Sequence, residues 1–254
     1  MNITFPLNAF KPLYYDTYFK YVLNMFLYLG YKVTHYDNHE VFRVIIDDKE
    51  VFFDYADDSQ IIGQGRPNFK FHYRGGVENM YAFSPPSFYN WEEYYSLIKT
   101  VSYKATGYVS CRQVPYATGR ERRLLARRIL GNIGRFELLP QSFYLQDIKN
   151  CLVSVCAPGH NAHILDRGQF QYMGLGVCTI SPSLPEILPF NKTLMPGVHY
   201  LECKEDFSDL LDIIEWCKLN TQNCIEIGQN AQQLFQATST PEKVVEWIKE
   251  CIWH

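Results

Sequence analysis

The stretch from Cys151 to Leu201 reads CLVSVCAPGHNAHILDRGQFQYMGLGVCTISPSLPEILPFNKTLMPGVHYL, and its order of residue types decides the fold. A short apolar run, Leu152–Cys156, ends in a loop at Pro158-Gly159. A polar segment then opens a helix over Ile164–Met173 that carries the Asp166-Arg167 pair. Gly174 ends that helix before a second apolar run, Val177–Ile180. Strand, loop, helix and strand in this order predict a parallel βαβ unit. Such a unit gathers backbone N–H groups and charged side chains at the carboxyl end of its first strand, where α/β folds bind nucleotides.

The same alternation extends in both directions. Upstream, Thr106–Arg112 reads as a strand, Gly119–Leu130 as a helix and Phe143–Asn150 as a short helix. Downstream, Phe207–Leu219 and Ile225–Phe235 are amphipathic helices. A last helix spans Glu242–Ile252, with Pro241 suited to its first turn. The pattern predicts a parallel sheet covered on both faces. The first hundred residues are less regular. Tyr14–Leu29 is a helix with Phe19, Val22, Leu23, Phe26 and Leu27 on one side, and Gly30 stops it. Strands follow at Lys32–Tyr36, Val41–Ile46, Val51–Tyr55 and Asn68–Tyr73, with a turn at Asp47-Asp48 and a short helix at Asn90–Lys99.

Bulk properties bound the answer. A chain of 254 residues, 47% of them apolar, has ample material for buried cores. A formal charge of -3 gives no overall pull toward nucleic acid or anionic membranes. None of the 8 Cys forms a CxxC pair and several lie in apolar runs, so they read as buried free thiols. The opening MNITFPLNAFKPLYYD lacks the basic and apolar regions of a signal peptide, and no run approaches the ~18 apolar residues of a membrane span. The expected location is reducing and cytoplasmic.

Two groups of residues carry the chemistry. The first is an arginine cluster, Arg112, Arg120, Arg122, Arg123, Arg127, Arg128 and Arg135, set against the single acid Glu121. Thr118 and Glu121 have capping-box spacing, which places Arg120 in the first turn beside free N–H groups that favour an anion. Arg120, Arg123 and Arg127 share one face, while Leu124, Leu125 and Ile129 are free to meet the sheet. Guanidinium groups grip phosphate oxygens bidentately, so Arg112 and Arg120, with Arg123 beside them, read as a diphosphate clamp. Arg122, Arg127 and Arg128 read as solvated surface. The second group is the loop of Gly159, His160, Asn161 and His163 with Asp166, Arg167 and Gln171 on the following helix. His160 and His163 lack a third ligand at suitable spacing, so no metal is expected. The loop suits hydrogen bonds to a sugar, ribose or phosphate; Asp166 alternatively offsets the helix dipole.

On these residues the chain resembles the donor half of GT-B glycosyltransferases, and most of all the exostosin-like and protein O-glucosyltransferase (capsule-associated) groups. APGHNAHILDRGQFQYMGLGVCTISPSLPEILPF is similar to their Pro-Gly loop, Arg-led helix, small-residue turn and Pro-Phe segment. VSCRQVPYATGRERRLLARRIL resembles their phosphate-binding element, and PGVHYLECKEDFSDLLDII and IGQNAQQLFQATSTPEKVVEWI their closing passages. The acid these families carry near the middle of the donor helix is replaced by Gln169 or Gln171.

The resemblance implies an α/β chain of GT-B type, with two Rossmann-like domains facing each other across a cleft. Residues 1–102 would be a short acceptor domain, 103–238 the nucleotide-sugar domain, and 239–254 a helix returning to the first domain. It implies transfer of a sugar from a nucleotide diphosphate sugar, a UDP-sugar by preference, to a hydroxyl of a glycan or small acceptor. Arg112 and Arg120, helped by Arg167, would stabilise the departing diphosphate without a metal or other cofactor. An inverting reaction needs a base from the first region. Asp57 is the choice there, from a segment that also offers Asp54 and Asp58, and His72, at the end of another strand-like run, is the alternative. The competing readings are a noncatalytic nucleic-acid binder using the Arg120–Arg128 helix and, less fitting, a Cys-His hydrolase.

Overall fold

The computed structural model describes residues 1–6, 15–36, 43–54, 65–70, 78–83, 88, 90–100, 109–111, 120–135, 141–157, 167–184 and 187–253. In chain order these form β1 (Asn2–Pro6), α1 (Tyr15–Tyr28), β2 (Lys32–Tyr36), β3 (Arg43–Ile46), β4 (Lys49–Asp54), β5 (Asn68–Lys70), β6 (Met80–Ala82) and α2 (Trp91–Thr100). There follow β7 (Val109–Cys111), α3 (Arg120–Leu130), β8 (Gly134–Arg135), α4 (Gln141–Ile148), β9 (Val153–Val155), α5 (Arg167–Gly174) and β10 (Thr179–Ser181). The last are β11 (Ile187–Leu188), β12 (Lys192–Thr193), β13 (Leu201–Glu202), α6 (Leu210–Leu219), α7 (Thr221–Thr238) and α8 (Pro241–Trp253). The fold is mixed α/β with parallel pairing in both main sheets.

Two units can be distinguished, and each is described by itself. The first comprises Met1–Trp91, Glu186–Thr193 and Ala237–His254. Its sheet runs in the order β2-β1-β3-β4-β5-β6. It departs from a purely parallel arrangement at β3, which is antiparallel to both β1 and β4. The cause is local: Asp47 and Asp48 take φ of 45° and 69°, a two-residue turn that folds β4 directly back on β3. One sheet face is packed with Ile3, Phe5, Val44, Ile46, Val51, Phe53 and Phe69. Val22, Met25 and Phe26 of α1 and Val244, Trp247 and Ile248 of α8 close over that face. The Trp247 ring stands edge-on to Phe69 at 5.1 Å. Side chains from the sheet accept the burden of the helix end: Lys49 Nζ donates to the Ile252 carbonyl at 2.9 Å and the Tyr81 hydroxyl to that of Cys251 at 3.1 Å.

The second unit comprises Glu92–Pro185 and Leu194–Gln236. Its sheet runs β13-β10-β9-β7-β8, and every neighbouring pair is parallel. Numbered by appearance in this unit, the order is 2-1-3-4-5, a doubly wound arrangement. Val109, Val153, Val155 and Ile180 face Ala126 and Leu130 of α3 and Leu210 and Ile214 of α6. The expected contact of α3 with the sheet is thereby corrected. Ala126 and Leu130 form the buried line, Leu125 and Ile129 flank it, and Leu124 is exposed. Because α3 also packs on α6, its apolar face turns away from Leu124. Six cysteines here, Cys151, Cys156, Cys178, Cys203, Cys217 and Cys224, are buried free thiols.

Candidate functional site

Strand order reverses between β7 and β9. The chain leaves β7 toward β8 on one side and leaves β9 toward β10 on the other. The two connections therefore run to opposite sides, and the carboxyl ends of strands at such a reversal are where open α/β sheets bind ligands. The helices that follow these two strands, α3 and α5, begin with Arg120 and Arg167. The amino ends of helices favour negative charge, and both helices start at that end. Arg123, half-buried one turn into α3, extends Nε to the Ala157 carbonyl at 3.4 Å. Since Ala157 lies just past β9, the amino end of α3 stands over the carboxyl end of β9.

Other sequence candidates fall as follows. Asp57, Asp58, His72, Arg112, Gly159, His160, Asn161, His163 and Asp166 lie outside the described residues. Arg120 and Arg167 are placed by their backbone at the helix starts. Gln171 is buried in the second turn of α5. Arg122 is not a solvated residue: it is half-buried and paired with Glu205 at 3.3 Å, whereas Arg127 and Arg128 are exposed. In the first unit Asp54 and Lys70 are register partners at the ends of β4 and β5, joined at 2.7 Å and both buried. They lie on the sheet face opposite Phe53 and Phe69. Among the described residues no three metal-ligating side chains converge.

A polar group of which the sequence reading named only Gln169 lies beside α5. Thr179 and Ser181 alternate with Ile180, so they face away from the α3–α6 core, and Ser154 joins them as the register partner of Thr179. Gln169 Nε2 donates to Thr179 Oγ1 at 2.7 Å. Gln169 Oε1 and Ser181 Oγ are both fully buried and make no hydrogen bond. Leaving such an atom unsatisfied costs about 1–3 kcal/mol. Glu202, the register partner of Ser181 on β13, is exposed and accepts from the Tyr200 hydroxyl at 3.0 Å. That hydroxyl in turn accepts from the Leu184 N–H at 3.2 Å. Burial pushes the Tyr200 hydroxyl up to about 12, so it remains a donor to the carboxylate. The sequence signals were Gln169, standing where the resembling families carry an acid, and the hydroxyl of Thr179 within the expected strand Val177–Ile180.

No family model matches the chain. A segment of 60 residues, 24% of the chain, is 35% identical to Uncharacterized protein 179R of Invertebrate iridescent virus 6 and covers 5% of that protein. A segment of 63 residues, 25% of the chain, is 32% identical to Uncharacterized protein 035R of Invertebrate iridescent virus 3 and covers 6% of it. The matched segments thus span about a twentieth of the length of these curated relatives. No described helix is long and apolar enough to cross a membrane.

Proposed function

We propose that the chain is a glycosyltransferase of GT-B organisation that takes a sugar from a nucleotide diphosphate sugar, with UDP-sugars as the first choice of donor. One observation carries this reading: two arginine-led helices leave adjacent parallel strands at the reversal of strand order in the second unit. That arrangement brings two helix N-termini, each opened by an arginine, to one end of the sheet, which suits a pyrophosphate. The resemblance of residues 103–252 to the donor half of these enzymes supports the same substrate.

In the proposed reaction the bond between the anomeric carbon and the diphosphate breaks, and negative charge builds on the departing oxygen. Arg112, Arg120 and Arg167 stabilise it as fixed positive charges, with Arg123 holding α3 to the end of β9. The acceptor hydroxyl loses its proton to a carboxylate of the first region, for which Asp57 is the candidate. No metal is required in this scheme; activity lost in a chelator and restored by manganese would count against it. The exposed pair Arg127 and Arg128 supports the second reading, nucleic-acid binding through α3.

Thermal denaturation with UDP, GDP and their sugar conjugates tests the proposal. A ligand at 100 times its Kd stabilises its binding unit by about 2.7 kcal/mol, a shift of several degrees. No shift with any of these ligands, together with a salt-sensitive gel shift of RNA or DNA, would move the assignment to the second reading.

A further inference from the structure

We propose that Tyr94 and Gln232 are positioning residues for the donor site, acting through α5 on Arg167 at its amino end. This rests on the donor reading above and names what fixes one of the two arginine-led helices.

The carboxyl end of α5 receives donors from outside its own turn. Gly176, at φ of 71°, bends the chain so that its N–H reaches the Met173 carbonyl at 3.0 Å and the Val177 N–H reaches the Tyr172 carbonyl at 2.9 Å. The Leu175 N–H meets the Gln171 carbonyl at 3.1 Å. Those three bonds leave the Gly174 carbonyl, which is buried. Two side chains donate to it, the Tyr94 hydroxyl of α2 at 3.1 Å and Gln232 Nε2 of α7 at 2.9 Å. One donor would satisfy the oxygen; two from different helices fix where it lies.

The rest of α5 is tied in the same way. Gln169 Nε2 donates to Thr179 Oγ1 of β10 at 2.7 Å, and the Tyr172 hydroxyl shares a hydrogen bond of 2.5 Å with that of Tyr144 on α4. A helix of 8 residues does not hold its shape alone in water, and here side chains of α2, α4, α7 and β10 all bond to it. Such a helix is a short lever. At ~1.5 Å per residue, the backbone of Arg167 lies roughly 10 Å along the axis from that of Gly174. A tilt of about 5° at the carboxyl end then moves the amino end by roughly 1 Å, a displacement that costs a well-placed contact up to about a hundredfold. The rigid fork of an arginine is the group least able to absorb it.

Calorimetry with UDP and GDP tests this on Tyr94→Phe and Gln232→Met, each made in wild type and in Arg167→Ala. Tyr94→Phe keeps the ring against Phe235, 5.6 Å away, and Gln232→Met keeps the length of the side chain. Each variant is expected to weaken binding roughly fivefold in the wild-type background and less than about twofold in Arg167→Ala, where the bond has nothing left to position. A melting curve certifies the fold of each protein, and if one variant does not fold the other decides. Should Arg167→Ala bind too weakly to titrate, Arg167→Lys takes its place, since it keeps the charge and gives up the fixed fork. Wild-type affinity in one variant removes that residue; in both, it overturns the positioning role and leaves the donor reading standing. So does an equal loss in both backgrounds, which marks the bonds as structural, and so does a failure of both variants to fold. An Arg167→Ala protein with wild-type affinity takes Arg167 out of the site and the inference with it. A wild type that binds neither diphosphate overturns the inference and the donor reading together.

Discussion

Gly228 on α7 lies against the backbone of Gly176: a β-carbon on Gly228 would stand 2.2 Å from the Gly176 carbonyl oxygen. Backbone atoms cannot yield as a flexible side chain does. Gly176 itself holds φ of 71° in the turn between α5 and β10, so the strand's entry is fixed by the same contact. Gly228→Ala is expected to destabilise the protein by about 1–3 kcal/mol through overpacking. Denaturant titration measures it, and a midpoint equal to wild type would show that α7 is free to shift.

Asp54 and Lys70 are the second test of packing. Asp54→Asn removes the carboxylate that the buried Lys70 ammonium meets at 2.7 Å and should cost about 3–5 kcal/mol. Replacing both, Asp54→Leu with Lys70→Met, removes the buried ammonium as well and should recover much of that loss. A double variant as unstable as the single one would show that the pair holds something besides itself.

His199 makes stability depend on pH. Its Nδ1 accepts from the Met195 N–H at 3.0 Å, and burial holds its pKa below the usual histidine value. A base with a depressed folded pKa binds fewer protons folded than unfolded. Stability is therefore full above about pH 6.5 and declines as pH falls through the folded value. Melting curves between neutral and mildly acidic pH should show this decline. His199→Asn keeps an acceptor but does not titrate, so its curve should be flatter there.

The arginines of α3 divide by position. Arg127→Ala with Arg128→Ala changes only exposed groups and should leave UDP affinity unchanged, whereas Arg120→Ala should weaken it roughly tenfold, as expected for a charge-assisted phosphate contact. Equal losses in both proteins, or none in either, would remove the first turn of α3 from the site. Calorimetry with UDP reads both.

The helices and the βαβ order were legible because their periodicities are long enough to count. α3, α5 and α8 each lie within a few residues of the expected spans. The Asp47-Asp48 turn was legible for a different reason, since paired aspartates tolerate positive φ. Strands β8 and β13 have two residues each, too few for any alternation to register. β1 was hidden because NITFP contains a proline and opens the chain without a preceding turn signal. Arg122 was misread because charge alone does not say which side of a helix another helix covers. Glu202 gave no signal at all: an isolated acid acquires meaning only when parallel pairing sets it beside Ser181.

The first unit draws its core from segments far apart in the sequence, since Val244, Trp247 and Ile248 pack with Ile3, Phe5 and Phe69. Contacts of such long sequence separation slow folding, because the loop must close before they form. During synthesis the sheet of β1 to β6 emerges early, with its apolar face covered only by α1 until α8 leaves the ribosome. In the second unit helices alternate with the strands, so its sheet is covered as it grows. Nascent chains halted before residue 241 should therefore be prone to self-association through the part of the first unit's sheet that α1 leaves open, and to capture by chaperones that recognise exposed aromatic strands.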